Sequence, residues 1–261
     1  TTPTMGNRST SASIKCSPGK LDDASGPEIA DLDLEGYLSK LGPAFDEANS
    51  WNVVRSTQNG CKVSWGKYKD KDVISMFWVQ EIEESSAQTG KMLQAIKELI
   101  MDTTGKYSEW DKTFLGQSVL GKWPGDFCGE SALVLRKFTA GPLANRDMLY
   151  FLACKEEICN GDRSYLYGYP SVHNSWVKSQ ISVDAPVTGF VRSLNIFPSA
   201  DRVTVLNDGM RLRVEHLMTT DIRGWVPNCI FNSAFRGALV DTYSTEAELF
   251  REHVHSLAAK M

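Results

Sequence analysis

The chain has 261 residues, of which 42% are hydrophobic and 23% charged, and its formal net charge is −4. This composition fits one large globular domain, and the weak negative charge excludes a nucleic-acid partner, because neutralising phosphates requires a basic face. No apolar run reaches the roughly 18 residues of a transmembrane helix, and no ligand pattern indicates a cofactor or a metal, so neither is expected.

The first 30 residues are rich in Ser, Thr, Gly and Pro, show no hydrophobic periodicity and are predicted to form a disordered tail. If Met5 is the native start, the following residues fit N-myristoylation at Gly6, and Cys16 offers a second lipid anchor. A chance match in a Ser/Thr-rich tail or a cloning remnant is the alternative. The folded domain is predicted to span residues 31–261.

A helix is predicted where Leu34, Leu38, Leu41 and Phe45 recur every three or four residues and so share one face. Gly42-Pro43 interrupts this pattern, which indicates either a kinked helix or two short ones.

Three runs rich in β-branched and aromatic residues follow, at 51–56, 61–68 and 73–82, and turn residues separate them. They predict three consecutive strands. A helix is then predicted over 86–103, because its apolar residues fall on one face and Gly105 marks its end.

Six further strands are predicted at 119–123, 132–138, 148–155, 164–169, 189–197 and 210–218. A long terminal helix begins at Trp225-Val226-Pro227, since proline is well suited to a first helical turn. Its apolar stripe is formed by Ile230, Phe231, Ala234, Phe235 and Ala238. This order of elements predicts an α+β fold with an antiparallel sheet.

Six cysteines are scattered along the chain, and no pair has the Cys-x-x-Cys spacing of a zinc or redox motif. They are interpreted as reduced structural thiols, which are typical of cytosolic proteins.

Four short segments, in this order and at this spacing, resemble those of the StAR-related lipid transfer (START) family. They are Glu109-Trp110-Asp111, Asn145-Arg146-Asp147, Gly189-Phe190-Val191-Arg192 and Asp221-Ile222-Arg223-Gly224-Trp225-Val226-Pro227. The resemblance covers about residues 34–257 and implies a helix-grip fold, in which a curved antiparallel sheet wraps the terminal helix around a cavity for one lipid.

The resemblance also implies a gate made of the terminal helix and the loop 139–144. Its predicted membrane-contacting residues are Leu143, Trp225, Val226, Ile230, Phe231, Ala234 and Phe235. Such residues can cover the lipid in the closed state and insert into a bilayer interface when the helix lifts.

Within the cavity, the chain departs from the better-known members. Leu133 and Leu152 occupy the positions of the facing acid and arginine of sterol-type members. Tyr107 replaces the phosphate-binding arginine of the phosphatidylcholine-type member, although Asp111 is retained. Two cage aromatics of that member correspond to Leu135 and Met148, so its choline cage is not reproduced.

Polar candidates for the cavity are Arg192, Tyr150, Tyr167 and His216. Arginine can hold a phosphate and tyrosine can bond a hydroxyl or an ester, but Arg192 could instead pair with Asp147 or Asp111, and the tyrosines could simply pack the sheet. His216 neighbours Glu215 on a strand, so only one of the two can face inward.

The resulting hypothesis is a monomeric, cytoplasmic, peripherally membrane-acting carrier that encloses one lipid and performs no covalent chemistry. The ligand is a phospholipid or a sterol, with a slight preference for phospholipid because both sterol-type charges are absent. The alternatives are a helix-grip superfamily enzyme acting on a hydrophobic substrate, and a lipid-sensing module of a longer protein.

Overall fold

A computed structural model of the protein describes residues 33–68, 73, 75–83, 86–123, 131–140, 143–172, 186–206, 209–223 and 233–261. For residues 86–87, 123, 140 and 233–236 only the backbone is described. The predicted tail, with Gly6 and Cys16, lies outside these ranges.

The helices of the described chain are α1 Leu34–Ser39, α2 Leu41–Asn49, α3 Ser86–Ile100 and α4 Ser233–Ala258. The first predicted helix is indeed two short ones, but the break falls at Lys40, and Pro43 lies in the first turn of α2, where its missing N–H is not needed. Asp33 caps α1 by accepting a hydrogen bond from the Gly36 N–H at 2.7 Å. None of the described helices has the length and apolarity needed to cross a membrane.

The strands are β1 Val53–Ser56, β2 Lys62–Gly66, β3 Ser75–Glu83, β4 Phe114–Trp123, β5 Ser131–Ala140, β6 Leu143–Cys159, β7 Asp162–Gly168, β8 Val191–Asn195, β9 Ala200–Leu206 and β10 Arg211–Asp221. They form one sheet in the order β1-β2-β3-β10-β9-β7-β6-β5-β4, and β8 pairs with β10 and β6. The pairing is antiparallel throughout these strands except between β6 and β8, which are parallel. The predicted α+β fold, a large antiparallel sheet with a long C-terminal helix, is confirmed.

Two apolar clusters cover opposite faces of this sheet. The helices α3 and α4 cover the face that carries Trp78, Val134, Tyr150 and Tyr167, which we call the inner face. The helices α1 and α2 cover the face that carries Phe77, Leu133, Leu149, Phe151 and Leu166, which we call the outer face. Neighbouring residues of one strand fall in different clusters, as the pleat of a strand requires.

The outer face is closely packed against α1. A Cβ atom on Gly168 would lie 2.8 Å from Leu38 Cδ2 and 3.0 Å from Tyr37 Cε1, so a larger residue in β7 would push the helix away. The Tyr37 hydroxyl also donates to the carbonyl oxygen of Ser199 at 3.0 Å. The outer face is therefore closely packed where β7 meets α1.

Strand β9 was not among the predicted strands. Asp201 and Arg202 interrupt its apolar pattern, yet both are buried, because each has a partner on β10. Arg202 Nε donates to Glu215 Oε2 at 2.6 Å on the outer face, and Asp201 contacts His216 on the inner face. Buried charges of this kind require such pairing.

The prediction of reduced thiols is wrong at Cys154 in β6, which is disulfide-bonded. Cys61 and Cys159 are free thiols, and Cys61 is buried.

Candidate functional site

Four of the predicted cavity residues lie on the inner face. Met148, Tyr150 and Leu152 alternate along β6, and Tyr167 lies on the neighbouring strand β7. Tyr150 and Leu152 are buried, and Met148 packs against the same cluster. The Tyr150 ring meets the Tyr169 ring edge-on, with the centroids 6.0 Å apart. These side chains form an apolar wall with hydroxyl groups set into it.

Leu133 and Leu135 were predicted to line the cavity, but the structure places them on the outer face. In β5 they pair with Phe151 and Leu149 of β6, which pack under α1 and α2. The inward residues of β5 are Ala132 and Val134. Shifting the alignment of a strand by one residue moves each side chain to the opposite face of the sheet. The residue-by-residue alignment of β5 with the family was off by one residue.

Arg136 is a buried cation on the inner face that the sequence analysis did not single out. Its Nε donates to Gln117 Oε1 and its Nη2 to the Asp102 carbonyl oxygen, both at 2.9 Å. Its Cζ lies 4.1 Å from the centroid of the Tyr107 ring and 5.6 Å from that of Tyr150. The sequence could have indicated this role, because Arg136 follows Ala132 and Val134 at the two-residue spacing of one strand face, and a charge on a buried face requires a partner.

Tyr107 and Asp111 lie in a compact turn beside Arg136. The Asp102 carboxylate organises this turn by accepting the N–H groups of Thr104, Gly105 and Tyr107. Asp111 accepts the N–H and the hydroxyl of Thr113, both at 2.7 Å, and burial raises the pKa of Asp111 above its ordinary value.

An ion-paired histidine occupies the middle of the inner face. His216 Nδ1 lies 2.6 Å from Asp201 Oδ1, the Tyr169 hydroxyl donates to Asp201 Oδ2, and the imidazole stacks on Trp78 with centroids 5.3 Å apart. Burial alone would lower the pKa of His216, but the Asp201 carboxylate more than offsets this and raises it. Of the neighbouring pair, His216 is the one that faces inward, while Glu215 binds Arg202 on the outer face.

The helix α4 presents Tyr243, Glu246 and Phe250 towards this region, since residues three, four and seven apart share a helix face. The Phe250 ring lies 5.8 Å from the Trp78 ring and 5.3 Å from the Trp110 ring, and Tyr243 lies 6.0 Å from His216. Burial raises the pKa of Glu246 to about 8, although nearby His216 opposes the shift. By exposed surface Glu246 is half-buried, between the buried side chains of α4 and those that face solvent.

Several buried polar atoms of this region have no hydrogen-bond partner. They are Trp78 Nε1, Gln80 Oε1, Trp110 Nε1 and the Tyr167 hydroxyl. Leaving such atoms unsatisfied costs about 1–3 kcal/mol each, so their concentration here indicates a site that a ligand or water completes.

Arg192 takes the structural role that was weighed as its alternative. Its Nε donates to Asp147 Oδ1 at 2.7 Å and its Nη2 to Oδ2 at 3.2 Å, and both side chains are buried. The pair joins the parallel strands β6 and β8, and Asp147 alternates with Met148, so it does not share the inner face.

Arg146 joins the two segments from which the gate was predicted. Its guanidinium donates to the carbonyl oxygens of Ile222 at 2.8 Å, Arg223 at 3.2 Å and Ala144. The bounds predicted for the loop 139–144 are wrong, because β5 runs to Ala140 and β6 begins at Leu143, so that Ala144 lies in β6. Ile222 and Arg223 follow β10. Burial lowers the pKa of Arg146.

The predicted gate residues themselves are mostly not described. Leu143 begins β6 opposite Ala140 and is half-buried. Ala234 and Phe235 belong to the first turn of α4, with only the backbone described. Trp225, Val226, Ile230 and Phe231 lie outside the described residues.

The arrangement as a whole suits enclosure of an elongated apolar molecule with a polar end. Aliphatic and aromatic side chains form most of the inner face, and the polar groups converge around Arg136, His216 and Glu246. The described residues contain no group of three or more potential metal ligands.

Comparisons with known proteins agree with this architecture. The sequence model of the START domain matches residues 61–256. No curated protein matches the sequence significantly.

Among solved structures, human StAR-related lipid transfer protein 5 superposes with a TM-score of 0.58 at 15% identity, covering 84% of this chain and 94% of that one. Human STARD10 gives a TM-score of 0.54 at 12% identity, with 87% and 83% covered. A StAR-related lipid transfer protein fragment from Xanthomonas axonopodis gives 0.52 at 15% identity, with 78% and 98% covered. At these identities the structural similarity establishes the fold.

Proposed function

The chain belongs to the START domain family, and from that premise we propose that it binds one lipid between the inner face of the sheet and α4 and transfers it between membranes. The observation that carries the proposal is the inner face itself, which combines an apolar wall with buried polar atoms that lack partners. A closely packed structural core would satisfy such atoms internally.

Enclosure follows from the energetics of an acyl chain in water. Each exposed CH₂ group costs about 0.8 kcal/mol, so a chain of about 16 carbons costs on the order of 12 kcal/mol. Only a cavity that surrounds the chain can offset this amount. The helix α4 is suited to form its lid, because its inward side packs against α3 and the first strands of the sheet.

A gate is required for the lipid to enter and leave. We assign this role to the start of the terminal helix together with the loop 139–144, including Leu143. The contacts of Arg146 support this assignment. Arg146 lies in β6 beside the loop, and its guanidinium binds the carbonyl oxygens of Ile222 and Arg223, so the two segments can only separate if these bonds break.

We propose a phospholipid rather than a sterol as the ligand, because of the number of polar groups on the inner face. A sterol offers a single hydroxyl group, whereas the inner face holds the cation Arg136, the His216–Asp201 ion pair and the carboxyl group of Glu246. A phospholipid headgroup, with a phosphate and further polar groups, can satisfy more of these partners.

The remaining features of the proposal are a transient membrane contact, a monomer and a cytoplasmic location. The disulfide at Cys154 weighs against a reducing compartment, since disulfides persist mainly in oxidising ones.

A transfer assay tests the function. Donor liposomes carrying a quenched fluorescent phospholipid or sterol are mixed with acceptor liposomes, with and without the protein. We expect the protein to accelerate transfer of the phospholipid. Acceleration of neither lipid over the spontaneous rate would contradict the carrier function, and acceleration of the sterol alone would contradict the ligand preference.

The Asp201–His216 pair favours an enzyme as the second candidate. A buried carboxylate that orients Nδ1 of a histidine is an arrangement used in general acid–base catalysis. Incubating the protein with candidate lipids and analysing them by mass spectrometry distinguishes the two functions. A product that is lost in His216→Gln, while lipid binding persists, would establish catalysis.

A further inference from the structure

The most unusual group on the inner side of the molecule is the carboxyl of Glu246. Four carboxyl groups lie on or beside the inner face in the described part of the chain, and three of them are satisfied. Asp102 accepts backbone N–H groups, Asp111 binds Thr113, and Asp201 binds His216 and Tyr169. Glu246 has no hydrogen bond or ion pair to any described residue.

The surroundings of Glu246 favour a cation. The aromatic rings of Trp78, Trp110 and Phe250 form a contiguous group beside it, and Tyr243 lies one turn earlier on α4. Ring faces attract positive charge. Arg136 is the permanent cation among the described residues near this face, and His216 adds a positive charge only when it is protonated, against four carboxyl groups. The described interior therefore carries an excess of acidic groups.

A second, independent feature is the amide of Gln80 on β3. Its Nε2 donates to the carbonyl oxygen of Ala247, the residue after Glu246, at 3.3 Å, which fixes the amide against α4. Its Oε1 is then a buried acceptor without a donor, and the side chain is only 1% exposed. An N–H donor placed here would satisfy Gln80 Oε1 next to the turn of α4 that carries Glu246.

Resting on the proposed function, we infer that the polar end of the bound lipid carries a protonated primary amine, which binds Glu246 and Gln80 Oε1 among the rings of Trp78, Trp110, Tyr243 and Phe250. A primary ammonium has three N–H donors for these acceptors, whereas a quaternary ammonium has none. The same chemistry is offered by a single-chain amine and by an aminophospholipid headgroup.

Ligands that differ only at the polar end test the inference. Octadecylamine, N-acetyl-octadecylamine, octadecyltrimethylammonium and octadecanol are delivered from cyclodextrin and compete with a fluorescent lipid bound to the full chain. We expect the amine to bind at least about tenfold more tightly than the other three, as for a charge-assisted hydrogen bond. Glu246→Gln should abolish this preference, so that octadecylamine binds the variant no more tightly than octadecanol does.

The matched control is Glu252→Gln, an exposed carboxylate on the same helix. It should preserve the preference for the amine. Circular dichroism of each variant confirms that the fold is retained. Equal binding of amine and octadecanol to the natural protein would overturn the inference, as would a Glu246→Gln variant that loses both ligands equally or retains the preference.

Proton uptake or release provides a second measurement. Calorimetry at pH 7 in buffers of different ionisation enthalpy should show proton release when the amine binds the natural protein, and less release in Glu246→Gln, because the amine displaces the proton of this buried carboxyl. The other titratable groups facing the site are His216, Asp111, Asp201, Tyr107 and Tyr243. Equal release in both proteins would contradict the role of Glu246.

Vesicle extraction separates the two sources of amine. A larger loss of phosphatidylethanolamine extraction than of phosphatidic acid extraction in Glu246→Gln supports an aminophospholipid. An effect on octadecylamine alone supports a single-chain amine. Binding of octadecanol and other neutral lipids without a preference for the amine would contradict this inference and would still support the carrier function. Absence of all lipid binding would refute both.

Discussion

The guanidinium of Arg146 binds the backbone on both sides of the proposed gate, with Nε donating to the carbonyl oxygen of Ile222 at 2.8 Å. Ser193 donates its hydroxyl to the same oxygen at 3.1 Å. Backbone carbonyls carry no net charge, so opening the gate breaks neutral-acceptor bonds and leaves no buried carboxylate behind. That makes Arg146 suited to a latch that opens and closes reversibly.

Arg146→Lys should weaken the latch, because one ammonium cannot span three carbonyl oxygens in the way a planar guanidinium does. We expect a loss of about 1–3 kcal/mol in the free energy of unfolding and a several-fold faster exchange of bound lipid. Urea unfolding and lipid exchange from liposomes measure the two effects. The control is Arg163→Lys, in which an exposed ion pair with Glu156 is altered and little should change. Unchanged exchange in Arg146→Lys would exclude the latch.

Leu133→Ala and Leu152→Ala form a matched pair that tests the assignment of faces. Both side chains are fully buried and lie on neighbouring strands, so each substitution should lower the free energy of unfolding by about 2–5 kcal/mol. Only Leu152→Ala should also change lipid affinity, since Leu133 packs under α1 and α2. Equal effects on affinity would show that the inner face is not the binding surface.

Arg202 and Glu215 form a buried ion pair away from the ligand, with a second bond from Arg202 Nη2 to Glu215 Oε1 at 3.1 Å. Arg202→Met leaves the Glu215 charge without its main partner, and we expect a loss of about 3–5 kcal/mol in the free energy of unfolding. The double variant Arg202→Met/Glu215→Leu should recover much of it. Thermal unfolding of the single and double variants checks this, and a single variant as stable as the natural protein would contradict the pairing.

The pH dependence of stability should report Glu246. Because burial raises the pKa of this carboxyl to about 8 in the folded protein, its protonated form is the stable one, and its contribution is fully present below the unfolded value of about 4.5. The contribution is lost as the pH rises through about 8. The apo protein should therefore lose a few kcal/mol relative to Glu246→Gln between pH 5 and pH 9. A constant difference between the two proteins over this range would refute the buried, neutral carboxyl.

The sequence allowed the order of elements to be predicted because alternation and helical periodicity are strong where one face is buried. The strand prediction failed at β9, because the charged residues Asp201 and Arg202 are typical of loops unless their partners on β10 are known. Long-range pairing of this kind, between residues 201 and 216 or 202 and 215, leaves no local signal.

The candidate site was predictable only in part. Tyr150, Leu152, Met148 and Tyr167 were predicted to line the cavity and lie on the inner face. Alternation along β10 predicted that only one of Glu215 and His216 faces inward. Leu133 was assigned to the inner face of β5 but lies on the outer one. Because of this shift, Arg136, which lies on the same face as Val134, was not predicted to face the cavity. Glu246 was missed because a charged residue on a long helix ordinarily faces solvent, and only the packing of α4 on the sheet reveals otherwise.

The central claim is that the inner face encloses one lipid, and native mass spectrometry of the purified protein tests it most directly. Spectra are recorded as isolated and after incubation with liposomes, and the bound species is then extracted and identified. The account predicts a one-to-one complex with a lipid that carries an amine headgroup. A protein that is empty as isolated and acquires no lipid from liposomes would contradict it.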